Sequence, residues 1–432
     1  MNSYIINGGR KLKGEVIINP SKNSATAILI ASLLNKKKTT IANLPKIEEV
    51  FRIIEVLESI GVKTKWKGKA LEITPSAKFT LNKINIKAAI RTRSIILFIG
   101  ALVHKFGSFG LPMSGGCKLG VRTIMPHIYA LENFGIKIKM LCDKLNVSHK
   151  KLRPAGEIIM YESGDTATEN AILAASLIPG KTVIKFASSN YQVQDLCYFL
   201  SKLGARIDGI GSTTLTILGK RKLSKDIKYY LTEDPIESML FLAAAVVTKS
   251  SIIIKRCPIE FLEIELLKLK KMGFRYKLLR SYKARNGYGK LVDIRTFPSN
   301  LTAPVEKLYG RPFPGLNIDN LPFFVPISTQ AKGETLIHDW VYENRAIYYA
   351  ELNRLGANVR LADPHRIFIT GPTKLEGAEI MCPPALRPSA IILVAMLAAK
   401  GKSILRNTYA IERGYEDLVG RLKKLEADIK RI

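Results

Sequence analysis

A nine-residue phrase recurs six times along this chain: LESIGVKTK from Leu57, LENFGIKIK from Leu131, LSKLGARID from Leu200, LKKMGFRYK from Leu269, LNRLGANVR from Leu352 and LKKLEADIK from Leu422. The starts fall 69 to 83 residues apart. Each phrase reads as the last turn of a helix, a Gly at the C-cap (Glu426 in the last copy), then a strand alternating apolar and polar residues. Self-similarity at a fixed period constrains the fold more than any local propensity, because one unit must be built and stacked repeatedly.

A second element recurs with the first: a strand, a polar loop, a helix rich in Ala, Leu and Ile, a helix-ending Gly or Lys, and another strand. It is read in VIINPSKNSATAILIASLL, IKAAIRTRSIILFIGALV, IIMYESGDTATENAILAASLIPG, YYLTEDPIESMLFLAAAVV, LNIDNLPFFVPISTQAKG and IMCPPALRPSAIILVAMLAAKG. These helices are apolar almost all round and so belong inside. At 432 residues the chain exceeds one ordinary core. The expectation is an α/β fold of two similar domains, each of three βαβ-rich modules with buried helices and sheets outside. The first spans 21–232, and the second combines 1–20 with 233–432.

The loop before each buried helix is polar. It carries Ser21, Lys22 and Asn23 in the first module, Arg91 and Arg93 in the second, and Asp165 to Asn170 in the third. Asp234 and Glu237, Asp319 and Asn320, and Arg387 follow in the last three. Capping accounts for Ser21, Asp165 and Asp234. It does not account for Lys22, Arg93 and Arg387, since cations at a helix amino terminus oppose the dipole; an anionic ligand would explain them. A further candidate is SGGCKLGVR, Ser114–Arg122. Gly115 and Gly116 suit a mobile loop, and Lys118 and Arg122 would lower the Cys117 thiol pKa on approach. Taken alone, the segment reads equally as a glycine turn with two solvated cations.

Composition narrows the function. The net charge of +31 favours anionic partners, but the cations are spread, as in Lys36–Lys38, Lys220–Lys222 and Lys268–Lys271, with no concentrated arm. Five histidines without HxH or HExxH spacing give no metal signal. Five scattered cysteines without CxxC argue for reduced thiols in a cytoplasm. No apolar run approaches the roughly 20 residues of a membrane span, and MNSYIINGGRKLKGEV lacks the apolar stretch of a secretory leader.

The PSKNSA loop, SGGCKLGVR, the YENR of Tyr342–Arg345, the LRPSA of Leu386–Ala390 and the ERGYEDL of Glu412–Leu418 together resemble the enolpyruvyl transferase family, in register from Tyr4 onward. The resemblance implies two inside-out, barrel-like α/β domains closing on substrate, with the active site in the cleft between them. It implies addition–elimination: enolpyruvyl moves from phosphoenolpyruvate (PEP) to the 3-hydroxyl of UDP-N-acetylglucosamine, the entry to peptidoglycan precursor synthesis. By resemblance Cys117 protonates C3 of PEP, Asp319 is the base for the sugar hydroxyl, and Lys22, Arg122 and Arg413 surround the phosphate. Arg345 and Arg387 hold the remaining anionic groups, and Asn23, Arg93 and Val341 contact the sugar nucleotide. It also implies PEP and a UDP-sugar as the partners, no cofactor or metal, and a monomer or weak homo-oligomer.

The PEP side matches the family's pattern, and the nucleotide side departs from it. Thr123 and Met125 stand where a Pro and an acidic or amide residue are usual, and Glu162, Ser163, Gly164, Asp165 and Thr166 replace a basic residue and an SVG turn. Asn190 and Gln192 replace an acidic pair, and Pro384–Ala385 precede the LRPSA arginine where an Asp is common. A carboxylate beside a diphosphate has the wrong sign. Two alternatives stay open: the same transfer to another hydroxyl acceptor, and an RNA-binding or RNA-end-processing relative, which the charge would suit.

Overall fold

The computed structural model describes residues 2–76, 78–113 and 123–432. All six phrases end a helix and begin a strand. The helices Glu48–Ser59, Met125–Glu132, Tyr191–Leu203, Glu263–Lys271, Ala346–Leu355 and Leu418–Lys424 run into Gly61, Gly135, Gly204, Gly273, Gly356 and Glu426, every one at positive φ. The leading residues Leu57, Leu131, Leu200, Leu269, Leu352 and Leu422 are fully buried. Val62, Ala205, Phe274, Ala357 and Ala427, each just past the positive-φ residue, donate their N–H to the leading leucine's carbonyl at 2.9–3.3 Å. The chain reversal thus satisfies a carbonyl that the helix end leaves unpaired.

The second element forms as buried helices. Pro235–Val247 is buried along its whole length, Leu386–Ala398 at all but its last residue, Lys22–Ala31 from Ser24 onward and Asp165–Ser176 from Ala167 onward. Two modules differ from expectation. The segment IKAAI is not a strand but a short helix, Ile86–Ala89, followed by the 3₁₀ turn Arg93–Leu97 and the helix Phe98–Leu102. Asn85 and Thr92 accept hydrogen bonds from the backbone N–H of Ala88 and Ser94, local bonds that favour helix starts over a ladder. LNID is not a strand either. Its helix is broken into Leu321–Phe323 and Phe324–Ser328, where Pro322 and Pro326 supply no N–H.

Among the described residues, five of the six sheets share one strand order. Gly156–Ile159 lies parallel to Gly180–Lys185, which pairs antiparallel with Thr214–Gly219, and that with Arg206–Asp208. The same order recurs in sheets built around Thr39–Ala42, Ile253–Pro258, Ala331–His338 and Gly401–Arg406. In the last of these the hairpin is cut: its strands are Ile429–Arg431 at the chain's end and Ser3–Gly8 at its beginning, and Ser3 and Ile432 exchange both backbone hydrogen bonds at 2.9 Å.

Three modules end their second hairpin strand in a glycine that presses on the buried helix. A Cβ at Gly219 would lie 2.4 Å from the Ala175 carbonyl, one at Gly371 2.8 Å from that of Ser328, and one at Gly8 2.1 Å from that of Met396. Only a residue without a side chain permits this approach.

The described residues form two compact units, 20–113 with 123–232, and 2–19 with 233–432. Strands are exchanged where the chain passes from one to the other. Glu15–Ile17 leads into the helix Lys22–Ala31 but pairs with Ile253–Pro258, whereas Ile227–Tyr230 leads into Pro235–Val247 but pairs with Thr39–Ala42. Both passages are pinned. Asn19 receives the Asp234 N–H and donates its own N–H to Glu237, while Ser21 donates its N–H to the Thr232 carbonyl.

Candidate active site

In the unit 2–19 with 233–432, three expected residues come together. Asp319 accepts from Arg345 Nη1 through Oδ1 at 3.5 Å and from Arg387 Nη2 through Oδ2 at 3.2 Å. Arg345 is 1% exposed. Its Nε and Nη2 fork onto Asp339 at 2.6 and 2.8 Å, its Nη2 also donates to the Ile318 carbonyl, and the Tyr342 ring lies beneath it. Burial opposes the guanidinium charge, but Tyr349 and the Asp339 carboxylate outweigh it and raise the pKa. Tyr349 also donates to Asp339 at 2.6 Å. Arg387 donates to the Tyr415 hydroxyl at 2.7 Å, and burial pushes that phenol up to about 12.

The arrangement is a carboxylate held between two guanidinium groups that are themselves fixed from behind. Each Asp319 oxygen accepts from one of the two guanidinium groups. A guanidinium fork suits carboxylate or phosphate, but Arg345, 1% exposed, directs its fork onto Asp339 and so braces Asp319. Arg413 ends the short helix Tyr409–Glu412, two residues before Tyr415, and Val341 is partly exposed just before Tyr342.

In the other unit, Ser21 caps the helix Lys22–Ala31 by accepting from the N–H of Asn23 and Ser24, so Lys22 and Asn23 open that helix. Asn23 Nδ2 donates to Tyr191 Oη at 3.1 Å and to Gln192 Oε1 at 2.9 Å. Gln192 Nε2 in turn donates to Glu169 Oε1 at 3.2 Å. Burial, and after it the nearby Asp165 charge, raises the Glu169 pKa well above the usual range. Arg93 opens its 3₁₀ turn behind the Thr92 cap, near enough that its charge adds to burial in lowering His127 to about 4.

Asp165 corrects one expectation. Gly164, not Asp165, occupies the cap position, and Asp165 is the first helical residue. Its carboxylate turns to Ser188 Oγ at 2.5 Å and Asn190 Nδ2 at 2.9 Å. Its charge is therefore engaged within the fold, which lessens the conflict of sign with a diphosphate. Asp234 does cap its helix, accepting from Ile236 and Glu237 N–H. Cys117 and Arg122, with Lys118, lie outside the described residues. Cys142 is exposed, and Cys197, Cys257 and Cys382 are buried free thiols.

The supporting residues Asp339, Tyr349, Tyr415 and Tyr191 are not singled out by the sequence, whereas Glu169 falls within the polar stretch Asp165 to Asn170. Tyr415 lies inside ERGYEDL and Asp339 three residues before YENR, so proximity to a motif was the available signal.

The family described as EPSP synthase (3-phosphoshikimate 1-carboxyvinyltransferase) matches residues 6–422. The UDP-N-acetylglucosamine 1-carboxyvinyltransferase of Treponema denticola is 34% identical over 432 residues, covering 100% of this chain and 99% of its own. The protein of the same name from Lawsonia intracellularis is 34% identical with the same coverage. Among solved structures, the enolpyruvyl transferase NikO from Streptomyces tendae superposes with a TM-score of 0.86 at 24% identity, covering 100% of this chain and 99% of that one. EPSP synthase from Acinetobacter baumannii gives 0.77 at 16%, with both chains covered in full. At those identities the likeness is one of fold.

Proposed function

Because the chain belongs to the enolpyruvyl transferase family, alongside the UDP-N-acetylglucosamine 1-carboxyvinyltransferases, we propose that it transfers enolpyruvyl from PEP to the 3-hydroxyl of UDP-N-acetylglucosamine and releases phosphate. The observation that carries this reading is full-length identity to enzymes of that name, joined to the Asp319 carboxylate held between Arg345 and Arg387. The reaction would serve peptidoglycan precursor synthesis in the cytoplasm. Among the described residues no helix is long and apolar enough to cross a membrane.

The chemistry needs an acid and a base. The sugar hydroxyl adds to C2 of PEP as C3 gains a proton. A tetrahedral ketal forms, then phosphate leaves as C3 loses a proton, restoring the vinyl group. Asp319 takes the hydroxyl proton, and Cys117 delivers the proton to C3. Positioned proton transfer is worth about 10²–10⁴ in rate, so loss of either residue is severe. Lys22, Arg122 and Arg413 surround the PEP phosphate, where cations stabilise the charge that builds on the leaving group. Arg387 holds the remaining anionic groups while Arg345, buried with its fork on Asp339, keeps Asp319 in place, and Asn23, Arg93 and Val341 contact the sugar nucleotide.

The test is phosphate release from PEP with and without UDP-N-acetylglucosamine, followed by mass spectrometry of the nucleotide. Release that depends on the sugar nucleotide, with an enolpyruvyl adduct, is expected. Fosfomycin, a thiol-alkylating PEP mimic, should label Cys117 and leave Cys117→Asp unlabelled. Labelling of Cys117 by PEP without phosphate turnover would point to a different hydroxyl acceptor.

A further inference from the structure

Asn23 can present only one kind of atom to a ligand. A carboxamide has two N–H hydrogens, and Asn23 directs both into the fold, to Tyr191 Oη at 3.1 Å and Gln192 Oε1 at 2.9 Å. Its Oδ1 has no partner among the described residues. The orientation is inherited from deeper in the unit. Gln192, 4% exposed, donates Nε2 to Glu169 Oε1, and Glu169 is 1% exposed. Turning the Gln192 amide over by itself would set its NH₂ against the Asn23 NH₂, a repulsive contact in a buried place. Glu169 backs Gln192 with an acceptor, and Gln192 and Asn23 hold each other in register.

We infer that Gln192 and Glu169 are positioning residues that hold Asn23 with Oδ1 toward the acceptor substrate, so that the site selects an acceptor offering an O–H or N–H at that point. The inference rests on the enzymatic reading above and deepens it. Neither residue touches substrate; both act through Asn23. PEP, which carries a phosphate and a carboxylate and offers no such donor when ionised, gains nothing from this acceptor.

The test is steady-state kinetics on the full-length enzyme with both substrates varied. Gln192→Met removes the acceptor and donor together and frees the Asn23 amide to turn. The KM for UDP-N-acetylglucosamine should rise about tenfold, the worth of one hydrogen bond, while the KM for PEP stays within about twofold. The double variant E169Q/Q192E reverses the pair. Gln at 169 donates to Glu at 192, which still accepts from Asn23, and the KM should return to within about threefold of wild type. A purely structural role for the pair would not survive exchange while failing selectively in one KM. Equal changes in both KM values for Gln192→Met, or an exchanged pair as impaired as Gln192→Met, would overturn the inference.

If the wild-type enzyme does not turn over UDP-N-acetylglucosamine, the enzymatic reading fails and the relay is read without it. Nuclear magnetic resonance of the Asn23 side-chain amide in the ligand-free protein should show both hydrogens bonded, and Gln192→Leu should shift one of them upfield. Unchanged resonances would refute the relay itself.

Discussion

Gly219→Ala should be far more damaging than its size suggests. The added Cβ would sit 1.9 Å from the Ile178 carbonyl oxygen and 2.4 Å from that of Ala175, where ordinary contact begins at 3.4 Å. The neighbours are backbone at the end of a buried helix, so no side chain can swing away. The strand must retreat, straining its pairing with Gly180 and the 3.0 Å bond from Lys220 N–H to the Ser176 carbonyl. Overpacking at about 1–3 kcal/mol and two weakened hydrogen bonds at about 1 kcal/mol each give roughly 3–5 kcal/mol. Gly156→Ala in the same unit is the control. There φ is +68° with nothing within 4 Å, so only the left-handed conformation is penalised, at about 1–2 kcal/mol. The chain's two tryptophans, Trp66 and Trp340, lie in different compact units. In a Trp340→Phe background, Trp66 fluorescence during urea unfolding reports the unit containing Gly219. The expected difference between the two variants is about 1 M in midpoint at typical slopes. A Gly219→Ala midpoint no lower than that of Gly156→Ala would refute the close-approach argument.

Glu426→Gly should stabilise the other unit by about 0.5–1 kcal/mol. It relieves a φ of +64°, and the gain is reduced by the greater freedom of Gly when unfolded; the exposed pair with Lys13 adds little. Trp340 fluorescence in a Trp66→Phe background would show it, and a lowered midpoint would contradict it. Arg345→Met leaves the Asp339 carboxylate buried without its cation and should cost about 3–5 kcal/mol by the same assay, with Arg345→Lys recovering little because it lacks the fork. His127 is held neutral when folded, its pKa lowered from 6.5 to about 4. Its contribution is therefore present above pH 6.5 and lost as pH falls toward 4, about 3 kcal/mol in full. His127→Gln should flatten the stability profile across that window, and an unchanged slope would argue against a buried neutral imidazole.

The parts of this fold legible in the sequence are those set by short-range chemistry. A buried leucine, a residue able to take positive φ and an alternating strand lie within nine residues, so six copies could be read directly, and Glu426 could be placed by analogy with five glycines. The second module misled because Asn85 and Thr92 turn an apolar run into capped helical turns, which periodicity does not register. Gly219 and Gly371 stand equally far beyond the leading leucines of their phrases, Leu200 and Leu352, and so repeat as well. Their role depends on contact with a helix from an earlier part of the module, which the spacing does not reveal. The site divides the same way. Asp319, Arg345 and Arg387 were legible as members of motifs. That Arg387 reaches Asp319 across 68 residues, and that Asp339 and Tyr415 brace the two arginines from behind, is long-range geometry.

The cut hairpin has a consequence for synthesis. Strand Ser3–Gly8 leaves the ribosome long before either of its partners, Gly401–Arg406 and Ile429–Arg431, is made. All the chain between them must emerge before this strand has a neighbour, whereas the described strands between 20 and 232 pair only with one another and wait for nothing translated later. The nascent chain therefore carries an unpaired apolar strand past a unit already able to fold, the exposure that invites mispairing or a chaperone. Joining Ile432 to Ser3 through a short linker and opening the chain at the exposed Gly68 turn would change that order of emergence while leaving every native pairing available.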